Sequence, residues 1–251
     1  MNWIFFALAG SIAQLIDGTL GMGFGLTSST LLLTLGASAA VASAAVHAAE
    51  IGTTLVSGVS HWHAENIDKK ILFKIAIPGG IGALLGATFL ASIDLSSAKV
   101  FISTLLLLLG FLLLYRNIFQ PQVNTTSLEV TNPRFLTYLG FTGGFVDASG
   151  GGGWGPIVTP TLMTTTQIEP RKIIGTVSAS EFIVAVSASV GFLANLHRLD
   201  INWAIVGGLA LGGSLMAPIA ARIVVNLPRK QIGILVGIAV IVINGYRILS
   251  A

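Results

Sequence analysis

Apolar runs close in length to a membrane-spanning helix recur along the whole chain, and few polar residues separate them. A helix needs roughly 20 predominantly apolar residues to cross the hydrocarbon core of a bilayer. Only 9% of the 251 residues are charged, whereas soluble domains typically contain about 25%. The chain has no cysteine, which excludes disulfides and thiolate chemistry. We therefore predict an all-α polytopic membrane protein.

An aspartate followed by glycines occurs twice, as DGTLGMGFG at 17–25 and DASGGGGWG at 147–155. A polar segment at 117–133, rich in Asn, Thr and Pro, lies between the two occurrences. We predict a first transmembrane repeat at 1–116, a polar linker at 117–133 and a second transmembrane repeat at 134–251. The acidic residues that match at nearly constant spacing are Asp17 with Asp147, Glu50 with Glu181, and Asp68 with Asp200.

Each repeat is predicted to contain about five helical segments. In the first repeat they cover about 3–16, 26–36, 38–60, 71–92 and 97–116, and in the second about 134–146, 156–166, 171–194, 203–223 and 229–248. The first two segments of each repeat are too short to span a bilayer comfortably at about 1.5 Å per residue. We expect these short segments to form a hairpin or re-entrant pair that meets at the glycine-rich break.

The distribution of Lys and Arg between the apolar runs indicates the topology, because positively charged loops favour the cytoplasm. If each short pair returns to its starting side and the N-terminus lies outside, only Lys99, Arg198 and Arg247 remain outside. This distribution favours an odd number of crossings per repeat, so that the two repeats are inverted relative to each other. The residues then placed in the cytoplasm are Lys69, Lys70, Lys74, Arg116, Arg134, Arg171, Lys172, Arg222, Arg229 and Lys230.

The two glycine-rich breaks are predicted to meet near the middle of the membrane and to form an anion site. Each break precedes a helix whose first N–H groups lack intrahelical partners, and glycine lets a ligand approach them closely. The helix dipole adds partial positive charge, so two such ends can hold an anion without Lys or Arg. Capping and small-residue packing are the alternative roles. The predicted substrate-binding residues are Gly21, Gly23, Gly25, Thr27, Ser28, Gly151, Gly153, Trp154, Gly155, Thr159 and Thr161, with Ser29 as a further nearby hydroxyl.

Ionisable residues inside apolar helices are costly and commonly functional. Glu50 and Glu181 occupy matching positions, and His47 lies one turn before Glu50. Desolvation disfavours the charged form of a carboxyl group, so these residues can exchange a proton near neutral pH. We predict that Glu50, Glu181 and His47 couple transport to protons. The alternative is a neutral glutamate that is hydrogen-bonded to the broken backbone and stabilises the fold.

Asp17 and Asp147 directly precede the glycines, and their carboxylates can accept backbone N–H bonds across each break. We predict a structural role for both, with Pro156 in the first turn of the following helix and Pro160 further along it. Cation binding is the alternative role for the two aspartates. His61 and His63 are spaced i, i+2 and do not share a helix face, so we predict no metal site there.

The repeated Asp-plus-glycine break, the Pro-Thr-Leu sequence at 160–162 and the acidic helix after it resemble the TauE/SafE sulfite-exporter family. The resemblance covers nearly the whole chain. In the first break the proline is absent, and Met22 stands in place of a glycine. The resemblance implies transport of sulfite, sulfoacetate or other organosulfonates across the inner membrane of a prokaryotic cell. These substrates are small anions, as the predicted amide-lined site requires.

We therefore expect a secondary transporter, specifically an exporter, of a small sulfur-containing anion that works by alternating access with proton coupling. The alternative is a cation or metal-ion permease that uses the intramembrane carboxylates. We expect no enzyme, because the chain offers no convincing nucleophile or metal triad, and we predict no cofactor. The expected partners are the anionic substrate and the lipid bilayer, not nucleic acid, because the basic residues form no single patch. Small-residue faces at 79–87 and 207–217 permit a homodimer.

Overall fold

The computed structural model describes residues 3–119, 132–166, 168–194, 201–223 and 229–249, and every regular element within them is an α-helix. The first half of the chain contributes α1 (Trp3–Leu20), α2 (Phe24–Thr34), α3 (Ala39–His63), α4 (Lys69–Ser92) and α5 (Leu95–Phe119). The second half contributes α6 (Pro133–Gly150), α7 (Trp154–Thr165), α8 (Pro170–Leu193), α9 (Trp203–Ile223) and α10 (Arg229–Leu249). The predicted all-α architecture is confirmed.

Several of these helices are long and apolar enough to cross a membrane. Among the described residues there are six, within α1, α3, α4, α5, α8 and α9. Large apolar side chains such as Leu8, Ile77 and Leu215 are exposed on the outside of the bundle. In a membrane, lipid rather than water covers this surface. The chain is therefore a multi-pass integral membrane protein.

The helices that precede the two breaks are longer than predicted. We expected α1 to end near residue 16 and α6 near 146, but they continue through Asp17 and Asp147 to Leu20 and Gly150. From the last turn of each helix, the aspartate carboxylate reaches forward to the N–H groups at the start of the next helix. At 18 residues, or about 27 Å, α1 is long enough to be a candidate span, so the expectation that it is too short is wrong.

The segment predicted as a linker is also shorter at both ends. Helix α5 continues through Asn117 to Phe119, and Pro133 already lies in α6, where Asn132 caps the first turn. The rest of that segment, 120–131, lies outside the described residues, as does Asp200. The division into two repeats joined by a linker stays a prediction.

Two pairs of helices, each joining the two halves, pack closely and in parallel through glycines. Gly10 of α1 faces Leu209 of α9, and Gly18 faces Ala220. In the matching pair, Gly140 of α6 faces Ile75 of α4 and Gly144 faces Gly79. In both pairs the contacts advance in the same direction along the two helices, so the helices are parallel. Small residues allow such helix backbones to approach closely within a membrane. Thus the first helix of each half packs against the fourth helix of the other half.

Corresponding helices of the two halves pack against each other in the antiparallel sense. In α3 and α8, Ser57 is hydrogen-bonded to Ser178, whereas Asn66, just beyond α3, faces the earlier residue Gly175. In α5 and α10 the contacts likewise run in opposite order, with Leu107 near Gly245 and Asn117 near Gly233. Within the bundle, α3 and α8 therefore run antiparallel, as do α5 and α10. How each half lies in a membrane, and hence the inverted topology, stays a prediction.

Cysteine labelling tests the orientation, because the native chain contains no cysteine. Lys70 in α4 and Lys230 in α10 are both exposed at helix starts. We expect Lys70→Cys and Lys230→Cys to react with a membrane-impermeant maleimide only from the cytoplasmic side, because the positive-inside rule places both there. Ser92→Cys, exposed at the other end of α4, is the control and should react only from outside. Labelling of positions 70 and 230 from opposite sides would contradict the inverted topology.

The α1–α9 contact predicts a large difference between two glycines of the same helix. A Cβ on Gly212 would collide with the main-chain carbonyl of Ala7, whereas a Cβ on Gly207 would meet no heavy atom within 4 Å. We expect Gly212→Leu to destabilise the protein by about 1–3 kcal/mol through overpacking and to lower its melting temperature in detergent. Gly207→Leu, which carries the same change in helix propensity, should melt close to wild type. Equal melting of the two variants would contradict this packing.

Candidate functional site

The two breaks lie against each other in the centre of the bundle. A Cβ on Gly25 would be 2.7 Å from Cα of Gly152, and a Cβ on Gly155 would be 2.5 Å from Cα of Met22. Any side chain at either glycine would push the two backbones apart. Each loop is short, because only residues 21–23 and 151–153 separate the helices, and Gly21 and Gly151 have left-handed φ values of 69° and 74°.

One hydroxyl group ties each break to the opposite half. Ser29 Oγ in α2 donates to the carbonyl of Gly151, and Thr159 Oγ1 in α7 donates to the carbonyl of Gly21. The two bonds involve matching positions of the sequence, since Ser29 aligns with Thr159 and Gly21 with Gly151 when the two motifs are superposed. Both hydroxyls are buried. They satisfy carbonyl groups that the interrupted helices leave without intrahelical partners.

The remaining hydroxyls predicted to bind substrate differ in their surroundings. Thr27 Oγ1 donates to the carbonyl of Gly23 over 2.7 Å, and Thr161 Oγ1 donates to that of Ile157 over 2.6 Å, both within the same segment. Ser28 is buried, and no described group is hydrogen-bonded to its Oγ. The assignment of these residues and of the break glycines to substrate binding stays a prediction.

Carboxylates approach the first N–H groups after both breaks. Asp147 Oδ1 accepts from the N–H groups of Gly153 at 2.8 Å and Trp154 at 3.0 Å. Asp17 Oδ1 lies 3.5 Å from the N–H of Phe24. Each carboxylate thus braces its loop from one helix to the next, and the contact distances are shorter in the second half. In this structure the amides predicted to hold an anion therefore face a carboxylate.

The tryptophan and the prolines of α7 are packed into the bundle. Trp154 is fully buried, and its indole N–H donates to the carbonyl of Val177 in α8 over 3.1 Å. Pro156 lies in the first turn of α7, where no intrahelical N–H is needed, and Pro160 lies in the helix interior. The indole thus fixes α7 against α8, and its predicted contact with substrate is untested.

His47 joins α3 to the break of the second half. Its Nε2 is 3.0 Å from Oδ2 of Asp147 and 3.9 Å from Oε2 of Glu50. Its Nδ1 is 2.8 Å from the carbonyl oxygen of Ser43, whose own hydroxyl donates to the carbonyl of Ala148 over 2.7 Å. Sequence reasoning paired His47 with Glu50, but the shorter contact is with Asp147. Ser43 was missed, although its position one turn before His47 is visible in the sequence.

The hydrogen bonds of His47 require an additional proton. The Ser43 carbonyl can only accept, so Nδ1 carries a proton and donates it. A neutral imidazole has one N–H, so Nε2 would then accept from a protonated Asp147; otherwise His47 is an imidazolium and Asp147 is a carboxylate. In both cases the His47–Asp147 pair holds two protons, one on Nδ1 and one between Nε2 and Oδ2. A neutral imidazole and an ionised carboxylate would together hold only one.

Two glutamates complete a buried acidic cluster. No described group is hydrogen-bonded to either side-chain oxygen of Glu50. Glu181 on α8 is also buried, within electrostatic range of Asp17, Glu50 and Asp147. The cluster thus contains four carboxyl groups and one imidazole. Arg171 and Glu169 form an ion pair that is exposed and lies outside this cluster.

The cluster has the donor set of a cation site as well as that of a proton site. His47 Nε2 and one oxygen from each of Glu50 and Asp147 lie within 4.8 Å of one another. Protons or a cation must therefore offset much of the negative charge in this buried position. His61 and His63 are not part of the cluster: His61 lies near Asn66, and His63 contacts the carbonyl of Val59.

The match with known proteins extends over almost the whole chain. The family model described as Sulfite exporter TauE/SafE matches residues 6–247. A Bacillus subtilis (strain 168) protein named "Probable membrane transporter protein YtnM" is 46% identical over 249 residues, which cover 98% of this chain and 83% of that protein. No solved structure matches the chain significantly. From the family match and this identity, the chain belongs to the TauE/SafE sulfite-exporter family.

Proposed function

We propose that this membrane transporter exports a small sulfur-containing anion, such as sulfite or an organosulfonate, by alternating access coupled to protons. The observation that carries the proposal is the contact between His47 and Asp147. It joins a protonatable side chain of the first half to the carboxylate that braces α7 in the second half. The description of the family supports sulfite as a member of the substrate class.

Protonation of Asp147 links proton binding to anion binding. An ionised Asp147 holds the N–H groups of Gly153 and Trp154, and its charge repels an anion at the same place. A neutral carboxyl is a weaker acceptor, so a protonated Asp147 releases these groups more easily. An anion can then bind at the N-terminus of α7, where backbone amides and the helix dipole favour negative charge. A bound proton and a bound anion therefore stabilise each other.

Glu50 provides a second proton site, beside the helix that follows the first break. Its Oε1 lies 3.0 Å from the position that a Cβ on Gly25 would occupy, so it directly adjoins the start of α2. No described donor holds its two buried oxygens. An ionised carboxylate without hydrogen bonds is strongly disfavoured in such surroundings. Glu50 is therefore neutral when an anion is bound, and it ionises when its proton is released.

Alternating access follows from the way in which the breaks meet. The two loops are held together by main-chain contact and by the matched bonds of Ser29 and Thr159. A movement of one half relative to the other parts these bonds and opens the site toward one side of the membrane. A dianion such as sulfoacetate that moves with one proton still carries net negative charge, so the negative interior of a cell favours its outward movement, which agrees with export.

The proton linkage predicts the pH dependence of transport. We expect efflux of sulfoacetate from proteoliposomes, with equal pH on both sides, to rise as the pH falls, by up to about tenfold per pH unit for one coupled proton. Sulfoacetate is suitable because its carboxyl group stays ionised between about pH 6 and 8. Glu50→Gln should weaken this dependence, because glutamine cannot take up the proton, whereas the Asp147 site remains.

Glu169→Gln is the matched control, because Glu169 is an exposed glutamate far from the cluster that pairs with Arg171. It should keep the wild-type pH profile. If Glu50→Gln transports sulfoacetate with an unchanged pH profile, the coupling role of Glu50 is wrong. If wild-type efflux falls as the pH falls, the sign of the linkage is wrong.

A cation or metal-ion permease is the second candidate, and the close approach of His47, Glu50 and Asp147 favours it. The variant Asp147→Asn separates the two candidates, because asparagine keeps an oxygen that can accept the N–H groups but has no charge for a cation. In the anion transporter, the variant should keep stabilisation by sulfite, about 2.7 kcal/mol when the ligand is at 100 Kd. Thermal unfolding of the purified protein with sulfite, sulfoacetate and divalent cations measures this.

The cation permease gives the opposite pattern in the same experiment. Wild type would be stabilised by a divalent cation alone, and Asp147→Asn would lose that stabilisation. Such a result would overturn the anion proposal and make the buried carboxylates metal ligands. Glu169→Gln again serves as the control and should respond as wild type does to every ligand.

A further inference from the structure

A deep apolar groove runs between α1, α2 and α10 on the outside of the bundle. Its volume is about 640 Å³, which is in the range of sites that bind small ligands. It is open to the surrounding membrane, because Leu8 and Ile12 on its edge are 61% and 62% exposed. The apolar lining includes Leu8, Ile12, Leu31, Leu235, Val240 and Ile243. A groove of this chemistry fits an acyl chain.

The groove ends in a basic recess at the ends of α2 and α10. A second cavity of about 370 Å³ shares Thr34 and Ile243 with the groove and is also lined by Lys99 and Arg247. Arg247 Nη1 donates to the carbonyl of Leu33, which fixes the guanidinium against the end of α2. Two positive side chains thus lie where the apolar groove reaches the edge of the bundle. This continuity matches a ligand with an apolar chain and an anionic head.

We propose that this groove binds one molecule of an anionic phospholipid, with an acyl chain along α1 and α10 and the phosphate beside Lys99 and Arg247. The positive-inside topology places this end of the bundle in the outer leaflet. The lipid would contact α2, the short helix that follows the first break. The proposal does not depend on what the protein transports, because it rests on the outer face of the bundle and not on the acidic cluster.

Native mass spectrometry of the full-length protein with added phosphatidylglycerol or phosphatidylcholine tests the head-group site. We expect one phosphatidylglycerol to be retained per chain and phosphatidylcholine to bind more weakly. Lys99→Gln should lower the affinity for phosphatidylglycerol about fivefold, the effect of one basic residue near a membrane surface. Lys74→Gln, an exposed lysine that does not line the groove, is the control and should bind as wild type. Equal binding of the two lipids by wild type would overturn the proposal.

A substitution that fills the groove tests the acyl-chain site. Ala239 lines the groove, so Ala239→Trp should abolish the retained lipid, whereas Ala204→Trp, at an exposed alanine outside the groove, should not. Melting temperatures in detergent without added lipid establish that both variants are folded. Unchanged lipid retention in Ala239→Trp would overturn the proposal. The proposal would also be overturned if the wild type formed a dimer without bound lipid and Ala239→Trp dissociated that dimer. The groove would then hold a second copy of the chain.

Discussion

The structure depends on a contact between two interrupted helices in the centre of a membrane protein. Backbone groups that lose their helical partners there have no water to bond, and each unsatisfied group costs several kcal/mol. Here, groups in and next to the two breaks supply the missing hydrogen-bond partners. Ser29 and Thr159 donate to carbonyls of the opposite loop, and Asp147 accepts two of the N–H groups that begin α7. Glycine is required at Gly25 and Gly155 because a Cβ would separate the loops and break this mutual satisfaction.

One of the groups that stabilise the breaks also belongs to the buried acidic cluster. Asp147 braces α7 and also contacts His47, so the same carboxylate stabilises the fold and shares a proton with the histidine. The two halves differ at this point. Ser178 occupies the position in α8 that matches His47 in α3, and it bonds to Ser57 instead of an aspartate. His47 therefore gives the second break a protonatable contact that the matching position of the first break lacks.

Much of the architecture could be predicted from residue patterns, and the errors have a common cause. Apolar runs indicate the helices, and the repeated Asp-plus-glycine motif locates the breaks. The ends of α1 and α6 were placed about four residues too early because an aspartate before glycines resembles a helix end. Both aspartates are instead the last-turn residues that reach over the loop. The partner of His47 was misjudged for a similar reason: Glu50 is one turn away in the sequence, whereas Asp147 becomes a neighbour only when α3 packs against the second half.

The sequence by itself determined that this is a helical membrane protein, that its motif recurs, and which ionisable residues are immersed in apolar segments. These are properties of composition and spacing, which depend only on local chemistry and on the thickness of a bilayer. Only the tertiary structure decided which of these residues meet. Ser29, Thr159, His47 and Asp147 each bond to a residue about 100 or more positions away. Such contacts arise from the packing of the two halves, because helix spacing relates only residues three or four apart.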